Sequence, residues 1–428
     1  MATIVTGTDR PLRRADEPRL VVPCANDQDV AAAIRLAREQ ELPLGVRGGG
    51  CHPAGPGTGA VLDLRALCRV TVDPARQTVE VGGGASWAAV AAVTAGTGLG
   101  VAGLPEPAVG VAGSTLDGGF GDLRRAYGLV CDDLVGADVV LADGRRVTTS
   151  GDECPELLWG LRGGGGNFGA VTALRFRLRP VPSSLLAGTV WFAAPVGDAT
   201  RLRWYRDFTA DLAPEVSTRL GLYAAGHPAV PGPLRDRPVA GVSATTASSR
   251  GRAELDVAPI RISGPALADG LTWRPAGATG GLGWAGPGVL DSWYLAGLPD
   301  AVLDRLLERH AALPAGPGDL LVHHLGGAVA RVTGMSGAAP HRAASYLVTA
   351  RAGWSGPAGE ERARAWLADT AAALRPHAVG GPHPGLCSQR SCAAAVYGPE
   401  RALRLAALKA RFDPDNAFAG ATKVVPLR

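Results

Sequence analysis

Between residues 20 and 178 the chain alternates short aliphatic and β-branched runs with amphipathic stretches, and glycine or proline separates most of them. Residues 20–23, Leu-Val-Val-Pro, predict a strand. Residues 26–40 predict a helix with Asn26 as N-cap and with Ala32, Ile34, Leu36 and Ala37 supplying apolar positions. The next expected strand, 42–46, stops at three glycines. Short strands are expected over 60–64, 70–72 and 78–81, and a helix over 86–95 follows Gly82-Gly83-Gly84. Residues 135–141 and 145–149 read as a hairpin turning at Asp143-Gly144. A strand over 170–178 runs into Pro180 and Pro182, which mark the first boundary. Beyond them the texture changes: strands at 188–192 and 329–332 mix with helices at 300–312 and 360–374. This predicts an α+β domain, and no internal repeat is visible.

The 428 residues exceed one core of ordinary size, so two domains are expected. With 46% hydrophobic and 19% charged residues the chain reads as globular. A net charge of +4 is carried as isolated pairs, such as Arg13-Arg14, Arg124-Arg125 and Arg145-Arg146, without a basic stripe, so no nucleic-acid partner is expected. The seven cysteines are scattered without C-x-x-C spacing, which favours neither a disulfide framework nor a zinc site. The N-terminal stretch lacks an apolar signal region and no run approaches a membrane span, so a cytoplasmic, unprocessed protein is expected. Basic residues are nearly all arginine, with Lys409 and Lys423 the two lysines, and with abundant Ala, Gly and Pro this suggests a high-GC bacterial genome.

Candidate chemistry begins with Arg47-Gly48-Gly49-Gly50-Cys51-His52-Pro53-Ala54-Gly55. Three glycines let backbone N–H groups converge on an anion, because no side chain blocks close approach and positive φ costs little. Such a loop can hold a pyrophosphate. Alone it could equally be an ordinary loop; three further segments change that.

These are Gly110-Val111-Ala112-Gly113-Ser114-Thr115-Leu116-Asp117-Gly118-Gly119-Phe120-Gly121, followed by Tyr127-Gly128-Leu129 and Cys131-Asp132-Asp133-Leu134; Leu158-Trp159-Gly160-Leu161-Arg162 with Gly163 through Gly169; and Arg411-Phe412-Asp413-Pro414-Asp415-Asn416-Ala417-Phe418. In order and spacing the set resembles flavoproteins of the vanillyl-alcohol oxidase and berberine-bridge-enzyme type, which have a PCMH-type FAD-binding domain. The middle, through His324-Leu325-Gly326-Gly327 and His341-Arg342, is similar to actinobacterial members. The resemblance implies an α+β, two-domain fold. Residues 1–180 would form the FAD domain, residues 181–390 a substrate domain with an antiparallel sheet covered by helices, and residues 391–428 would return to the FAD domain. FAD would contact Arg47, Gly48, Gly49, Gly50, Cys51, His52 and Gly55 in the first loop. The second would add Ala112, Gly113, Ser114, Asp117, Gly118, Gly119, Gly121 and Asp122, and the third Asn167, Gly169 and Val171.

The chain departs from the family pattern in several places. Cys51 occupies the position where many members carry the histidine that links to flavin, and His52 is its neighbour. A thioether at Cys51 is chemically open, since a thiolate with depressed pKa is nucleophilic; noncovalent FAD beside a small residue is the alternative and the favoured one. The second covalent anchor falls at Glu106, so no second link is expected. Asp117 stands in the usual glycine run and Asp122 at a commonly apolar position. The phenol-bearing segment before the last helix is here Gly380-Gly381-Pro382-His383-Pro384, and the Asn-x-Asn that commonly follows the Asp-Pro turn is Ala421-Thr422-Lys423. Candidates to move a proton instead are His383, His341, His324, Tyr397 and Tyr294, because an imidazole titrates near neutrality. Against that, a lone histidine is usually a packed or surface residue, and Tyr397 reads as a packing residue at a helix start. His323-His324 is no metal pair, since adjacent strand side chains point to opposite faces, and no metal is expected.

The implied function is an FAD-dependent oxidase or dehydrogenase that passes a hydride from a small molecule, a secondary metabolite or its sugar, to flavin, with O2 as acceptor. Residues 329–332 are expected to line the substrate sheet. Two alternatives stay open: a non-redox cyclase on the same fold with structural or absent flavin, and a drug-binding resistance protein.

Overall fold

The computed structural model describes residues 18–49, 59–101, 107–195, 197–276, 287–388, 392–418 and 424–427. The first elements follow from local sequence. Leu20–Pro23 is a strand, and Asp27–Glu39 a helix whose N-cap Asn26 accepts from the N–H groups of Gln28 and Asp29, satisfying donors that no helical carbonyl can reach. Its apolar stripe, Val30, Ala33, Ile34 and Ala37, is buried on a parallel sheet ordered Leu20–Pro23, Ala60–Asp63, Leu44–Arg47. A five-stranded antiparallel sheet follows, ordered Val70–Asp73, Thr78–Gly82, Ala170–Arg177, Leu134–Val140, Arg146–Ser150. The hairpin Leu134–Val140 and Arg146–Ser150 turns at Gly144, whose φ of +82° suits a residue without Cβ.

The largest sheet has eight strands. Its order is Ala268–Asp269, Ser184–Ala193, Val239–Thr246, Val216–Tyr223, Gly318–His324, Tyr346–Gly353, Gly288–Leu295, with Thr272–Pro275 also paired to Ser184–Ala193. Strands alternate their side chains, and here the two faces differ in kind. One face, with Leu220, Val242, Leu320, Val322 and Val348, is apolar and carries the helices Thr200–Ala210, Arg250–Ile262, Asp300–Ala311 and Pro357–Leu374. Burying each such side chain contributes roughly 1.5–3 kcal/mol, so this face recruits the helices. The opposite face presents Thr189, Ser243, Arg219, His323 and Thr349, which would lose solvation without gaining partners under a helix.

Two buried arginines join this sheet to the loop that precedes it in the chain. Arg124 donates to the carbonyls of Thr218 (2.8 Å) and His324 (3.1 Å), and Arg125 to those of Leu325 (2.7 Å), Val216 (2.9 Å) and Leu212 (2.6 Å). The last long helix, Pro399–Phe412, packs Leu405, Leu408 and Phe412 against Leu157, Leu161 and Phe168. Beyond it Phe418 bridges in parallel to Leu44, whose N–H donates to Ala417 O. One expected element differs: 329–332 is no strand. Ala328–Arg331 is a single helical turn that packs on Arg124–Tyr127, launched by Gly326 and Gly327 at φ +77° and +55°. It therefore does not line the sheet.

Candidate active site

Three backbone segments meet with no room for side chains. A Cβ on Gly49 would sit 2.2 Å from Gly110 Cα, and one on Gly48 would sit 2.7 Å from Gly83 O. The end of strand Leu44–Arg47 thus lies directly against the 83–85 turn and the start of helix Val111–Leu116. Gly113, one turn along that helix, is exposed and a Cβ there would meet nothing within 4 Å. A groove opens over Gly113. Arg47 at its start lies 3.7 Å from Asp63, and Ala112 is buried. Ser114 is internally committed: its Oγ accepts from Trp87 Nε1 (3.0 Å) and lies 2.8 Å from Gly110 O, to which it donates.

The groove leads to polar groups. Asp117 caps the helix, and a Cβ on Gly165 (φ +79°) would fall 3.0 Å from Asn167 Nδ2 and 3.9 Å from both Asp117 Oδ1 and Tyr397 OH. Asn167 Nδ2 donates to Gly164 O, while its buried Oδ1 has no partner among the described residues. Gly118, at φ +106°, faces His383, whose Nε2 would lie 3.8 Å from a Cβ there. His383 is held by its backbone N–H donating to Ser292 Oγ (2.9 Å) and by Gly385 N–H donating to its Nδ1 (3.1 Å). Nδ1 is therefore the acceptor, and the proton of the neutral ring is on Nε2, a buried donor with no partner among the described residues. Phe120 (centroids 4.7 Å apart) and Tyr294 (6.4 Å) flank the ring.

Burial sets the protonation states. Desolvation, with a smaller effect of His341, pushes His383 down to about 3. Asp117 keeps some exposure along the groove, yet desolvation pushes its carboxyl up to about 7. The Tyr294 phenol is raised by burial, so it holds its proton.

The remaining candidates are placed differently. His341, at φ +55°, donates from Nε2 to Val396 O (2.8 Å), packs at a tilt against the Tyr294 ring and is depressed chiefly by desolvation. His324 points to the helix-covered side, where it touches Arg125 (2.9 Å) and Tyr346 and lines a cavity of about 400 Å³ remote from the groove. His323 faces the other way, toward Phe120. Tyr397 is buried in helix Ala393–Tyr397 with its hydroxyl at the Gly165 corner. Gly119 would collide with Val130 and Gly169 with Val139, and Val171 O abuts Gly83, so these three serve packing. Gly121 offers its carbonyl to Arg124, and Asp122 lines a pocket of about 150 Å³ with Trp87, Leu123 and Val181. Gly50, Cys51, His52, Gly55 and Glu106 lie outside the described residues. Among the described residues no group of His, Cys, Asp or Glu gathers for a metal ion, and no helix is long and apolar enough to cross a membrane. Sequence reasoning missed Ser292, Gly385 and Phe120, which hold His383, and Lys409, which donates to Asn167 O (2.7 Å). Of these, only Lys409 carries a signal, as one of two lysines in the chain.

The arrangement fits FAD. The open groove over Gly113 leaves room for a pyrophosphate, and the orphaned Asn167 Oδ1 acceptor suits a ring edge that carries an N–H group. The comparisons agree. Residues 18–150 match the FAD binding domain family model. The chain is 32% identical over 434 residues to (R)-6-hydroxynicotine oxidase of Paenarthrobacter nicotinovorans, covering 95% of this chain and 91% of that protein. It is 28% identical to the FAD-linked oxidoreductase OXR1 of Pyricularia oryzae, over 92% of this chain and 81% of the other. The crystal structure of 6-hydroxy-D-nicotine oxidase from Arthrobacter nicotinovorans superposes with a TM-score of 0.87 at 26% identity, covering 100% of this chain and 98% of that one. A berberine bridge enzyme variant shares the fold, with a TM-score of 0.83 at 19% identity over 97% of this chain and 91% of the other. The chain thus belongs to the berberine-bridge-like family of flavoproteins with a PCMH-type domain, and it is an FAD-dependent oxidoreductase.

Proposed function

We propose that the protein oxidises a small molecule, a secondary metabolite or its sugar, bound between FAD and the polar face of the large sheet, with O2 as electron acceptor. The observation that carries this reading is the convergence of Asp117, Asn167 and His383 at the end of the glycine groove, beside Phe120 and the sheet. FAD, when bound, supplies a two-electron acceptor. The chain's own groups then divide the work. His383, neutral and with its proton on Nε2, acts as a hydrogen-bond donor that orients a substrate oxygen; its occupied Nδ1 makes it a poor base. Asp117 is the better proton acceptor, because a carboxyl near 7 is half ionised at the working pH. Phe120 and Tyr294 exclude water. Asn167 and the glycines at 48, 49 and 113 hold the cofactor, noncovalently.

Residues 1–180 with 391–428 are read as the FAD domain and 181–390 as the substrate domain, in a cytoplasmic protein. The Lys409 and Phe418 links to the first part support the return of the C-terminal segment. The test is spectroscopic. The purified protein should show flavin bands, and acid precipitation should leave the flavin in the supernatant. A panel of hydroxylated N-heterocycles and oligosaccharides, chosen after the similar 6-hydroxynicotine oxidase and chitooligosaccharide oxidase, is then added without oxygen. Bleaching by one member, reversed by air with formation of hydrogen peroxide, is the expected result. A protein that takes up no FAD, or that binds its ligand and returns it unchanged, overturns the reading.

A further inference from the structure

The polar face of the large sheet carries a charge that the redox chemistry does not use. Thr189, Ser243, Arg219, His323, Leu347 and Tyr294 lie directly opposite one another on successive strands, forming one row across the sheet. Tyr294 ends this row beside His383. Toward the other end, Thr189 and Ser243 share a hydrogen bond of 2.8 Å, and Arg219 donates to Ser243 Oγ at 3.3 Å. All three side chains are half-buried, whereas His323, Leu347 and Tyr294 farther along the row are buried, with Phe120 packed over them.

Arg219 has no carboxylate partner among the described residues. On this face of the described strands the acidic side chain is Asp319, and it is already clasped by Arg351 and by His227 (3.0 Å). Arg219 Nε is buried without an acceptor, and the guanidinium meets only neutral groups, Ser243 Oγ and the Tyr223 phenol. Arg124 beneath this face adds a second positive charge, solvated chiefly by backbone carbonyls. A planar guanidinium with spare donors, flanked by two hydroxyls in a positive field, is built to take a carboxylate in a bidentate grip. Beside it Trp191 and Tyr223 pack together under Val230 and Leu234 and close that end of the face with a buried aromatic pair.

We infer that the substrate is an organic acid: an apolar, ring-bearing molecule whose carboxylate is held by Arg219 with Ser243 and Thr189, while the carbon to be oxidised lies at His383 and Asp117. Three strand spacings of about 4.8 Å separate Tyr294 from Arg219, roughly 14 Å, less the reach of the arginine side chain. That distance is the length of a one- or two-ring acid lying over Phe120, which packs against both His323 and His383. The inference rests on the proposed function and narrows its substrate class.

The test uses FAD-loaded protein titrated with benzoate, phenylacetate and 2-naphthoate, each beside its neutral amide. Binding is read both from the flavin bands and from tryptophan fluorescence, to which Trp191 on the same face contributes. Each acid should bind more tightly than its amide. Arg219→Gln should raise the Kd for the acids by on the order of 10- to 100-fold without moving the amides, and Arg219→Lys should recover part of the loss. Equal affinity of acids and amides, an acid preference that survives Arg219→Gln, or no binding of any acid overturns the inference. The two failures are separable: a protein without flavin that still prefers acids by fluorescence sinks the redox reading alone. A flavin reduced by a neutral substrate with no acid preference sinks this inference alone.

Discussion

Lys409 Nζ donates to the main-chain oxygen of Asn167 at 2.7 Å, across 242 positions of sequence, and so fixes the loop whose buried Oδ1 has no partner among the described residues. The same ammonium is fully buried against Asp413 (2.5 Å) and donates also to Phe418 O (2.6 Å). Desolvation lowers its pKa and the Asp413 carboxylate opposes that shift.

Lys409→Met would leave Asp413 charged and unpaired in the interior, at a cost of about 3–5 kcal/mol. Adding Asp413→Asn should restore part of the loss, because the neutral amide removes the unpaired charge and its oxygen can still accept from one of the two N–H groups, of Ala417 and Phe418, that the carboxylate serves. Urea midpoints of the three proteins decide; a double variant no better than the single one contradicts the pairing account.

Gly113 separates cofactor binding from stability. Its backbone is helical and a Cβ would meet no atom, so Gly113→Ala should stabilise the FAD-free protein by about 0.5–1 kcal/mol. The added methyl enters the groove, and FAD should bind more weakly. Thermal unfolding and FAD titration of one variant should therefore move in opposite directions.

Asp117 should govern an ascending limb near pH 7 in kcat/KM, since the ionised form accepts the proton. Asp117→Asn should abolish that limb together with most of the rate. The linkage also has a sign. A carboxyl raised in the folded state favours folding below its unfolded value near 4, and that advantage is lost as pH rises through about 7. The Asn variant should be the more stable protein at pH 8.

His383 and His324 are held neutral, near 3 and 2 against an ordinary 6.5. Depressed histidines support folding above 6.5 and lose that support as pH falls, by about 1.4 kcal/mol per pH unit for each ring. Stability measured between pH 7.5 and 4.5 should drop along that slope, and His324→Gln should flatten part of it. For the same reason no rate inflection near 6.5 should trace to His383. His383→Ala should lower kcat/KM about 10- to 100-fold at every pH while FAD stays bound, with His383→Asn keeping more of the rate through its amide donor.

Local chemistry made much of the fold legible. Asn26 caps its helix because an extended residue with a short side-chain oxygen reaches the first free N–H groups, and Asp143-Gly144 turns its hairpin because glycine tolerates the left-handed backbone. The strand expected at 329–332 failed for an equally local reason. β-Branched Val329 and Val332 outweighed Gly326-Gly327, which turn the chain into a helical turn against Arg124–Tyr127. The glycine loops pointed to the cofactor from sequence. What could not be read was which groups face each other across the site. Gly385 meets Asp117, Ser292 holds His383, and Arg219 stands beside His323 only after eight strands have taken an order unrelated to their sequence. His324 looked as good a candidate as His383 until one residue of register turned it to the far side of the sheet.

The grip of Lys409 on Asn167 also has a consequence in time. A ribosome adding about 5–20 residues per second needs roughly 12–50 s to make the stretch between them, and through that interval the Asn167 loop lacks the donor that fixes it. Phe418, which flanks Leu44 beside the first glycine turn, emerges later still. Capture of FAD thereby waits on synthesis beyond residue 409, and nascent chains halted before residue 409 should emerge without the yellow colour.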